Sequence, residues 1–533
     1  MCSRFLLFIF LCSCVFGDSW KTIDPAELSE TTPRVEKDAD AEVLFWGVRV
    51  KDEAVNLNWQ QTFQNYLRIK VFTGRGRDRF STVDIPFSGN ATVYDVAGRT
   101  IHPDGATFEL KADAVFEKST NNGRATERHK VFALPAVEPG SVIEYRYTRS
   151  AEVLSHYLRL DFSREMPVRL VQYEIKPYVW KNGGWAPRLQ FFHCLSTPLE
   201  LQPDGFYRTA LANVPAFKRE PYAPPENQIR PWSLFYYVPF GRSTTDKFWT
   251  ELGKGIYSAM KPHLKVTGAV TKTASEVASK GNTPLEKLDL LSLYCRTRIK
   301  NVQTESVTAE ERTEADKNRI PEDTLTHGEG TGEDIRFLFA AMAISQGFEA
   351  QVAALPSRAE VFFTRDLLDG YFLRYRAIAV KVNGEWRFYD PANTYEPRGG
   401  LAWYNEGVPA LLCDPKGPTV VETPNSTPEA STIHQEGTLK LSADGTLEGD
   451  VILRYMGHAG AIRKTNAGHL SQAQREDAVT SILKQRGGSV EVSDIRIENE
   501  MDAEKPLTYR CHVRISGYAE RTGKRLLFAP ALF

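Results

Sequence analysis

Between about Ala41 and Pro239, apolar and polar residues alternate in short runs. The runs EVLFWGVRV, NYLRIKVF, STVDIPF, ATVYDV, ATFELKA, KVFALPAV and SVIEYRYTRS are rich in Val, Ile, Phe and Tyr, and turn formers (GRGRD, SGN, PDG, NNG, EPG) separate them. Alternation with a period of two, bounded by Gly, Pro, Asn and Asp, marks half-buried strands. The stretch 41–239 therefore predicts a large antiparallel, sandwich-like β domain. Its last part, 215–239, is rich in proline and aromatic residues and reads as a linker that packs along the next domain. Residues 18–40, polar and proline-bearing, read as an exposed arm with one helical turn.

The period changes after Phe248. FWTELGKGIYSAM, TASEVASK and PLEKLDLLSLYCRTRIK predict helices; in the last, Leu285, Leu288, Leu291 and Cys295 share one face. HGEGTGED, His327 to Asp334, opens a further helix whose apolar face is Ile335, Leu338, Phe339 and Met342, with Gly347 just past its end. A strand (FEAQVAAL) follows, and then a hairpin, YRAIAVKVNGEWRFYD, turning on Asn383-Gly384. In that register Val382 opposes Glu385 and, counting outward, Ala377 opposes Asp390. Residues 240–415 are thus an α+β domain with helices ahead of an antiparallel sheet. A polar linker, 416–435, leads to a third, β-rich domain, 436–533. It holds a hairpin that turns at Ser442–Gly445, a helix ending in ILKQRGG, and two more strands. The pattern stops inside a strand pair, so this domain is read as incomplete.

A length of 533 residues suits about three domains of about 150 residues. A net charge of -1 supplies no field to hold a polyanion, which excludes nucleic acid as a partner. Arg4, the apolar run Phe5 to Phe16 and the small-residue pattern before Asp18 make residues 1–17 a signal peptide. The run is too short to span a bilayer, and no later stretch is apolar enough to do so. The expectation is an exported protein of the periplasm or cell envelope, or a secreted one. Leu11-Cys12-Ser13-Cys14 loosely resembles a lipobox and makes Cys14 a candidate lipid anchor, ranked behind simple cleavage. Beyond the signal, Cys194, Cys295, Cys413 and Cys511 are widely spaced and form no C-x-x-C, which excludes zinc and thioredoxin-like readings. They form disulfides or remain buried thiols.

Several segments carry a family resemblance. DADAEVLFW, RIKVFTGRG, AGRTIHPDG and LPAVEPGSVIEYRY are similar to the β-rich N-terminal domain of unknown function of bacterial exported transglutaminase-like proteins. GTGEDIRFLFAAMAISQGFEAQVAAL is similar to their G-D-C-K-D loop and helix, and GEWRFYDPAN to their W-x-x-x-D-P element. GTLKLSADGTLEGDVILRYMG resembles their C-terminal β-rich domain. The resemblance covers nearly the whole chain after the signal, and it implies a papain-like central fold. In that family a cysteine at the start of the central helix attacks, a histidine serves as base and an aspartate orients the histidine. The helix dipole and the histidine favour the thiolate.

Laid on this chain, G-D-C-K-D falls on Gly330–Asp334, so the nucleophile position is Gly332. The base position is Arg376, and Asp390 matches the aspartate. Glycine has nothing with which to attack, and arginine is no base near neutral pH. No cysteine occurs between Cys295 and Cys413, and no histidine between His327 and His434. Thr331 is a substitute hydroxyl without a base. Arg376 is expected to pair with Asp390, and Thr331, Glu333, Asp334 and Trp386 are expected to line the cleft. His327, Glu329, Glu333 and Asp334 match no metal motif. An acidic glycine loop before a helix is read as a solvated turn, so no metal and no cofactor is expected. Arg99 and His102 are read as turn chemistry. The resulting expectation is a transglutaminase-like domain without activity, binding a peptide, protein or glycan or serving as an envelope scaffold. The alternative is an active cysteine-type peptidase or acyltransferase.

Overall fold

The computed structural model describes residues 20–529 except 57, 122–125, 154, 181–183, 195–199, 240–243, 306, 397–398, 469 and 488. Residues 1–17, expected to be a signal peptide, and Cys14 among them lie outside the described residues. The chain forms two compact units, Met1–Arg242 and Ser243–Phe533. Several sheets dominate both, so the protein is a β-rich, multidomain molecule.

The first unit begins with a single-turn helix, α1 (Pro25–Ser29), capped by Asp24. A long hairpin follows, β1 (Ala41–Val55) with β2 (Asn58–Val71), and then α2 (Gly74–Phe80), β3 (Thr82–Ser88), β4 (Thr92–Ile101) and β5 (Thr107–Glu109). Next come β6 (Phe116–Asn121), β7 (Thr126–Ala133), β8 (Val142–Ala151), β9 (Tyr157–Asp161) and β10 (Val168–Lys176). The last are β11 (Trp185–Phe192), β12 (Glu200–Leu201), β13 (Tyr207–Val214) and β14 (Trp232–Pro239). The principal sheet has eight strands in the order β12-β13-β10-β1-β2-β8-β4-β5, and two three-stranded sheets, β11-β14-β9 and β3-β7-β6, accompany it. One apolar core joins all three. Val43, Trp46, Ile69 and Val171 come from the large sheet, Ile85 and Phe132 from one small sheet, and Leu160 and Phe235 from the other. This is the sandwich that the alternation predicts.

Four details depart from the reading of the sequence. β1 pairs with β10 in parallel, from Val43 opposite Val168 to Lys51 opposite Lys176. Alternation fixes which face a side chain takes and says nothing of strand direction. GRGRD is the helix α2 rather than a turn, because the Thr73 hydroxyl accepts from Gly76 N at 3.1 Å and caps it. The aromatic stretch near 232–239 is no linker: β14 is the central strand of its sheet, with Trp232 and Phe235 buried. The arm is not free either. Arg68 donates to the carbonyls of Lys21 (2.7 Å) and Thr22 (3.2 Å), and Lys70 Nζ to that of Leu28 (2.7 Å).

The arm lies where the large sheet is polar. Glu42, Glu144 and Glu174 are fully buried there. Each meets arginine: Glu42 with Arg169, Glu144 with Arg68 and Arg99, and Glu174 with Arg208. Buried carboxylates persist only when paired and hydrogen-bonded in this way.

The second unit starts with α3 (Thr245–Met260), α4 (Gly268–Ala278) and α5 (Pro284–Arg298). β15 (Lys300–Asn301), α6 (Ala309–Ala315), α7 (Pro321–His327), β16 (Glu329–Gly330) and α8 (Gly332–Ser345) follow. A five-stranded sheet is built from β17 (Glu349–Leu355), β18 (Tyr375–Val382), β19 (Glu385–Tyr389), β20 (Pro409–Cys413) and β21 (Thr419–Glu422), in the antiparallel order β19-β18-β17-β20-β21. Helix α8 is buried between α4 and α5 on one side and the sheet residues Val352, Ile378, Val380 and Tyr389 on the other. The other sheet face gathers Ala353, Ala377, Phe388 and Leu412. The hairpin register is the expected one, with Val382 opposite Glu385 and Ile378 opposite Tyr389. Asn383 (φ 52°) and Gly384 (φ 87°) both take the left-handed conformation that a two-residue hairpin turn requires.

The same unit carries the C-terminal strands β22 (Ile433–Leu441), β23 (Leu447–Tyr455), β24 (Val490–Glu498) and β25 (Leu507–Ile515), ordered β22-β23-β25-β24. Between β23 and β24 lie α9 (His458–Ala467) and α10 (Gln472–Gly487), and Val479 and Leu483 of α10 close this core. The four cysteines are free thiols, and Cys295, Cys413 and Cys511 are buried.

Candidate functional site

The chain reaches α8 through a tightly specified turn. Helix α7 ends at Gly328, whose φ of 72° supplies the left-handed cap that reverses the chain. β16 then pairs in parallel with β15. Thr331 caps α8 in a capping box with Asp334. Asp334 Oδ2 accepts from Thr331 N (2.8 Å) and from the Thr331 hydroxyl (2.7 Å), and that hydroxyl accepts from Asp334 N (3.3 Å). Thr331 and Asp334 are therefore occupied in starting the helix. Glu333 is exposed on the first turn. His327 bonds Asn318 Oδ1 at 2.7 Å, and Asn318 Nδ2 donates to the Glu329 carbonyl, so the histidine braces the loop.

Gly332 is buried and donates its N–H to Gln303 Oε1 at 3.0 Å. A Cβ on it would sit 3.3 Å from Ala392 Cβ, 3.3 Å from Arg336 Nη1 and 3.4 Å from Gln303 Oε1. Arg336 lies one turn further along the same helix face. Its Nε donates to Asp390 Oδ1 (2.8 Å) and its Nη2 to Oδ2 (3.1 Å), a two-pronged ion pair. Asp390 also accepts from Ala392 N (3.2 Å) and Asn393 Nδ2 (2.9 Å). Asn301 holds the same loop through the Ala392 carbonyl (3.0 Å). Burial opposes the charge on Arg336, but Asp390, by charge and hydrogen bond, raises its pKa above the ordinary arginine value.

Arg376 does not pair with Asp390. Its Nη1 donates to the carbonyls of Leu373 (2.8 Å) and Tyr375 (2.9 Å), and no carboxylate among the described residues is within ion-pair distance of it. Arg336 takes the aspartate instead, because it approaches from the helix with its fork aligned to both oxygens. Burial lowers the pKa of Arg376, while the charge on Glu333 works against that shift. The Tyr404 ring lies tilted against Tyr375 (5.1 Å) and feels Asp390, and burial, the larger cause, lifts its phenol to about 12. Trp386 is not in this group. It packs with Phe388 and Leu412 on the sheet face away from α8, with Lys381 Nζ 5.4 Å from its ring.

The structure thus gathers Gly332, Arg336 and Asp390, with Tyr404 close by, and leaves Thr331 and Asp334 in the cap. Arg336 was missed in reading the sequence. Its only signal is a cation four residues past Gly332 in an otherwise apolar helix. Gly332, Arg336, Asp390 and Tyr404 supply no thiol and no imidazole. Burial holds the nearby Cys413 thiol at about 11 and pushes the Cys295 thiol up as well, so neither is a thiolate at neutral pH.

Residues 58–218 match a domain of unknown function with a solved structure, DUF3857. The match lies within the first unit. No curated protein is significantly similar in sequence. Among solved structures, a candidate protease from Parabacteroides distasonis is 12% identical with a TM-score of 0.49, covering 90% of this chain and 93% of that one. A candidate cysteine protease from Cytophaga hutchinsonii is 10% identical with a TM-score of 0.18, covering 62% of this chain and 76% of the other.

Proposed function

We propose that the second unit is a transglutaminase-like domain in which an ion pair has replaced the catalytic centre. The protein would then act by binding a peptide, protein or glycan, or as a scaffold, after export to the cell envelope. The observation that carries this reading is the Arg336–Asp390 fork beside Gly332. In the family pattern an aspartate at this point orients a histidine. Here its oxygens are filled by a guanidinium, an amide N–H and an asparagine side chain. The nucleophile position has no side chain, and the base position holds an arginine committed to two carbonyls. The sequence pattern of residues 1–17 supports export.

The test is an assay of the purified full chain for amide hydrolysis and for amine incorporation into a glutamine-bearing casein. No turnover above the protein-free blank is expected. Gly332→Cys alone should stay silent, because Asp390 remains engaged and no base is present. Gain of turnover in the combined Gly332→Cys, Arg336→Ala and Arg376→His variant would support descent from an active site. Turnover by the unaltered chain would overturn the proposal.

A further inference from the structure

In the first unit, a cleft of about 500 Å³ opens on the large sheet between the two small ones. This is within the range of ligand pockets. Trp46, Ile69, Tyr145 and Tyr173 form its floor, and Phe80 and Met166 add apolar surface. Two strands flank it: Thr82, Val83 and Asp84 belong to β3, and Arg159 and Asp161 to β9. Each is the outermost strand of its sheet, β3 pairing with β7 and β9 with β14. Both therefore present a ladder edge without a strand partner among the described residues, which is a ready template for an added strand.

The charges in the cleft are not equivalent. Arg159 pairs with Asp161 (2.8 Å), Arg230 with Glu226 (3.1 Å), Glu165 with Arg79 (2.6 Å), and Asp84 with Lys118 (2.9 Å) and His129 (2.6 Å). Arg164 has no carboxylate partner among the described residues. Its guanidinium lies 4.0 Å over the Trp46 ring, and its Nε is buried without an acceptor. Trp46 is 6% exposed, and its indole N–H also lacks an acceptor. A guanidinium without a carboxylate partner, lying on an apolar floor, suits an anionic acceptor. A single guanidinium, with the carboxylates of Asp84, Asp161 and Glu165 around it, fits one negative charge and weighs against two.

We propose that this cleft binds the free C-terminus of an extended peptide. The terminal carboxylate sits against the Arg164 guanidinium. The last side chain, an apolar one, lies on the floor near Ile69 and Tyr145. The backbone adds to the open edge of β3, whose seven residues give room for several ladder bonds.

The test uses the full chain and two synthetic pools of fluorescein-labelled hexapeptides ending in Leu, Ile, Val or Phe, one as free acids and one as C-terminal amides. Fluorescence polarisation is expected to show binding of the acid pool, at least tenfold tighter than the amide pool. Arg164→Gln should remove that preference. Equal binding of acids and amides, or no binding of the acids, overturns the proposal. That comparison needs no variant, so it stands even where Arg164→Gln does not fold. An acid preference that survives in folded Arg164→Gln overturns the assignment as well.

Discussion

Arg336 and Asp390, 54 residues apart, meet through two hydrogen bonds of 2.8 and 3.1 Å and join the second turn of α8 to the loop after the hairpin. Arg336 is largely buried and Asp390 almost wholly so. Removing one partner of such a pair leaves the other charge buried and uncompensated, which costs about 3–5 kcal/mol. Arg336→Ala and Asp390→Ala should each lower the stability of the second unit by that order in urea unfolding followed by tryptophan fluorescence. The double variant should lose less than the sum of the two, because the second deletion removes the stranded charge. Strict additivity would mean that the pair carries no coupling.

Gly332→Cys addresses the same group from the other side. The added Cβ meets its neighbours at 3.3–3.4 Å, close but not prohibitive. The new thiol would stand at the N-terminus of a buried helix and beside the Arg336 guanidinium, two influences that favour a thiolate. It should therefore titrate below the ordinary cysteine value of about 8.5. The rate of iodoacetamide alkylation against pH, with the unaltered chain subtracted, reports this. A midpoint above 8.5 would mean that burial outweighs both.

How much of this was legible in the sequence depends on how local each feature is. The hairpin register follows from Asn383-Gly384 and could be read directly, whereas Thr331 and Asp334, expected to line the cleft, form the cap of α8. Arg336 could not be assigned, because helical spacing places it on a face and says nothing about the aspartate that waits there. The same limit hid the parallel pairing of β1 with β10. It also hid the hold of Arg68 on the arm, whose carbonyl acceptors have no sequence signature. Trp386 was misplaced for a subtler reason. Asp390 shares its parity on the strand, but the chain leaves β19 after Tyr389 and the aspartate is turned toward α8.

Lys70 is fully buried, and its ammonium donates to the carbonyls of Leu28 (2.7 Å) and Gly140 (2.6 Å). It ties the arm to the sheet without a direct carboxylate partner among the described residues, and burial lowers its pKa. Lys70→Met keeps most of the volume and loses both bonds, which strands two carbonyls. The arm should then open more often, and limited trypsin digestion should cut after Lys21, Arg34 or Lys37 several-fold faster than in the unaltered chain. Unchanged cleavage rates at these sites would show that Arg68, the Arg169–Glu30 pair and the bonds of Glu42 to Arg34 N and Val35 N hold the arm without Lys70.

His458, at the start of α9, is buried between two buried carboxylates, with Nδ1 2.7 Å from Glu396 and Nε2 3.2 Å from Glu406. Glu406 also meets Ser426 N at 3.1 Å, and Arg358 lies 3.8 Å from it. Both ring nitrogens face acceptors, so the arrangement suits the imidazolium. The hydrogen bond to Glu396 is the largest influence and raises the pKa above the ordinary 6.5, against the opposing effect of burial. A group whose pKa is higher in the folded state binds its proton more tightly there. Its contribution is complete below about 6.5, the unfolded value, and is lost as pH rises through the folded pKa. Calorimetry from pH 6 to 9 should therefore show the melting temperature of the second unit falling with rising pH. His458→Gln, which can bond only one carboxylate well, should lower the melting temperature at pH 6 and flatten the slope. A variant that keeps the full slope would place the titration elsewhere, since the loss of one proton at His458 is what couples α9 to the loops that hold Glu396 and Glu406.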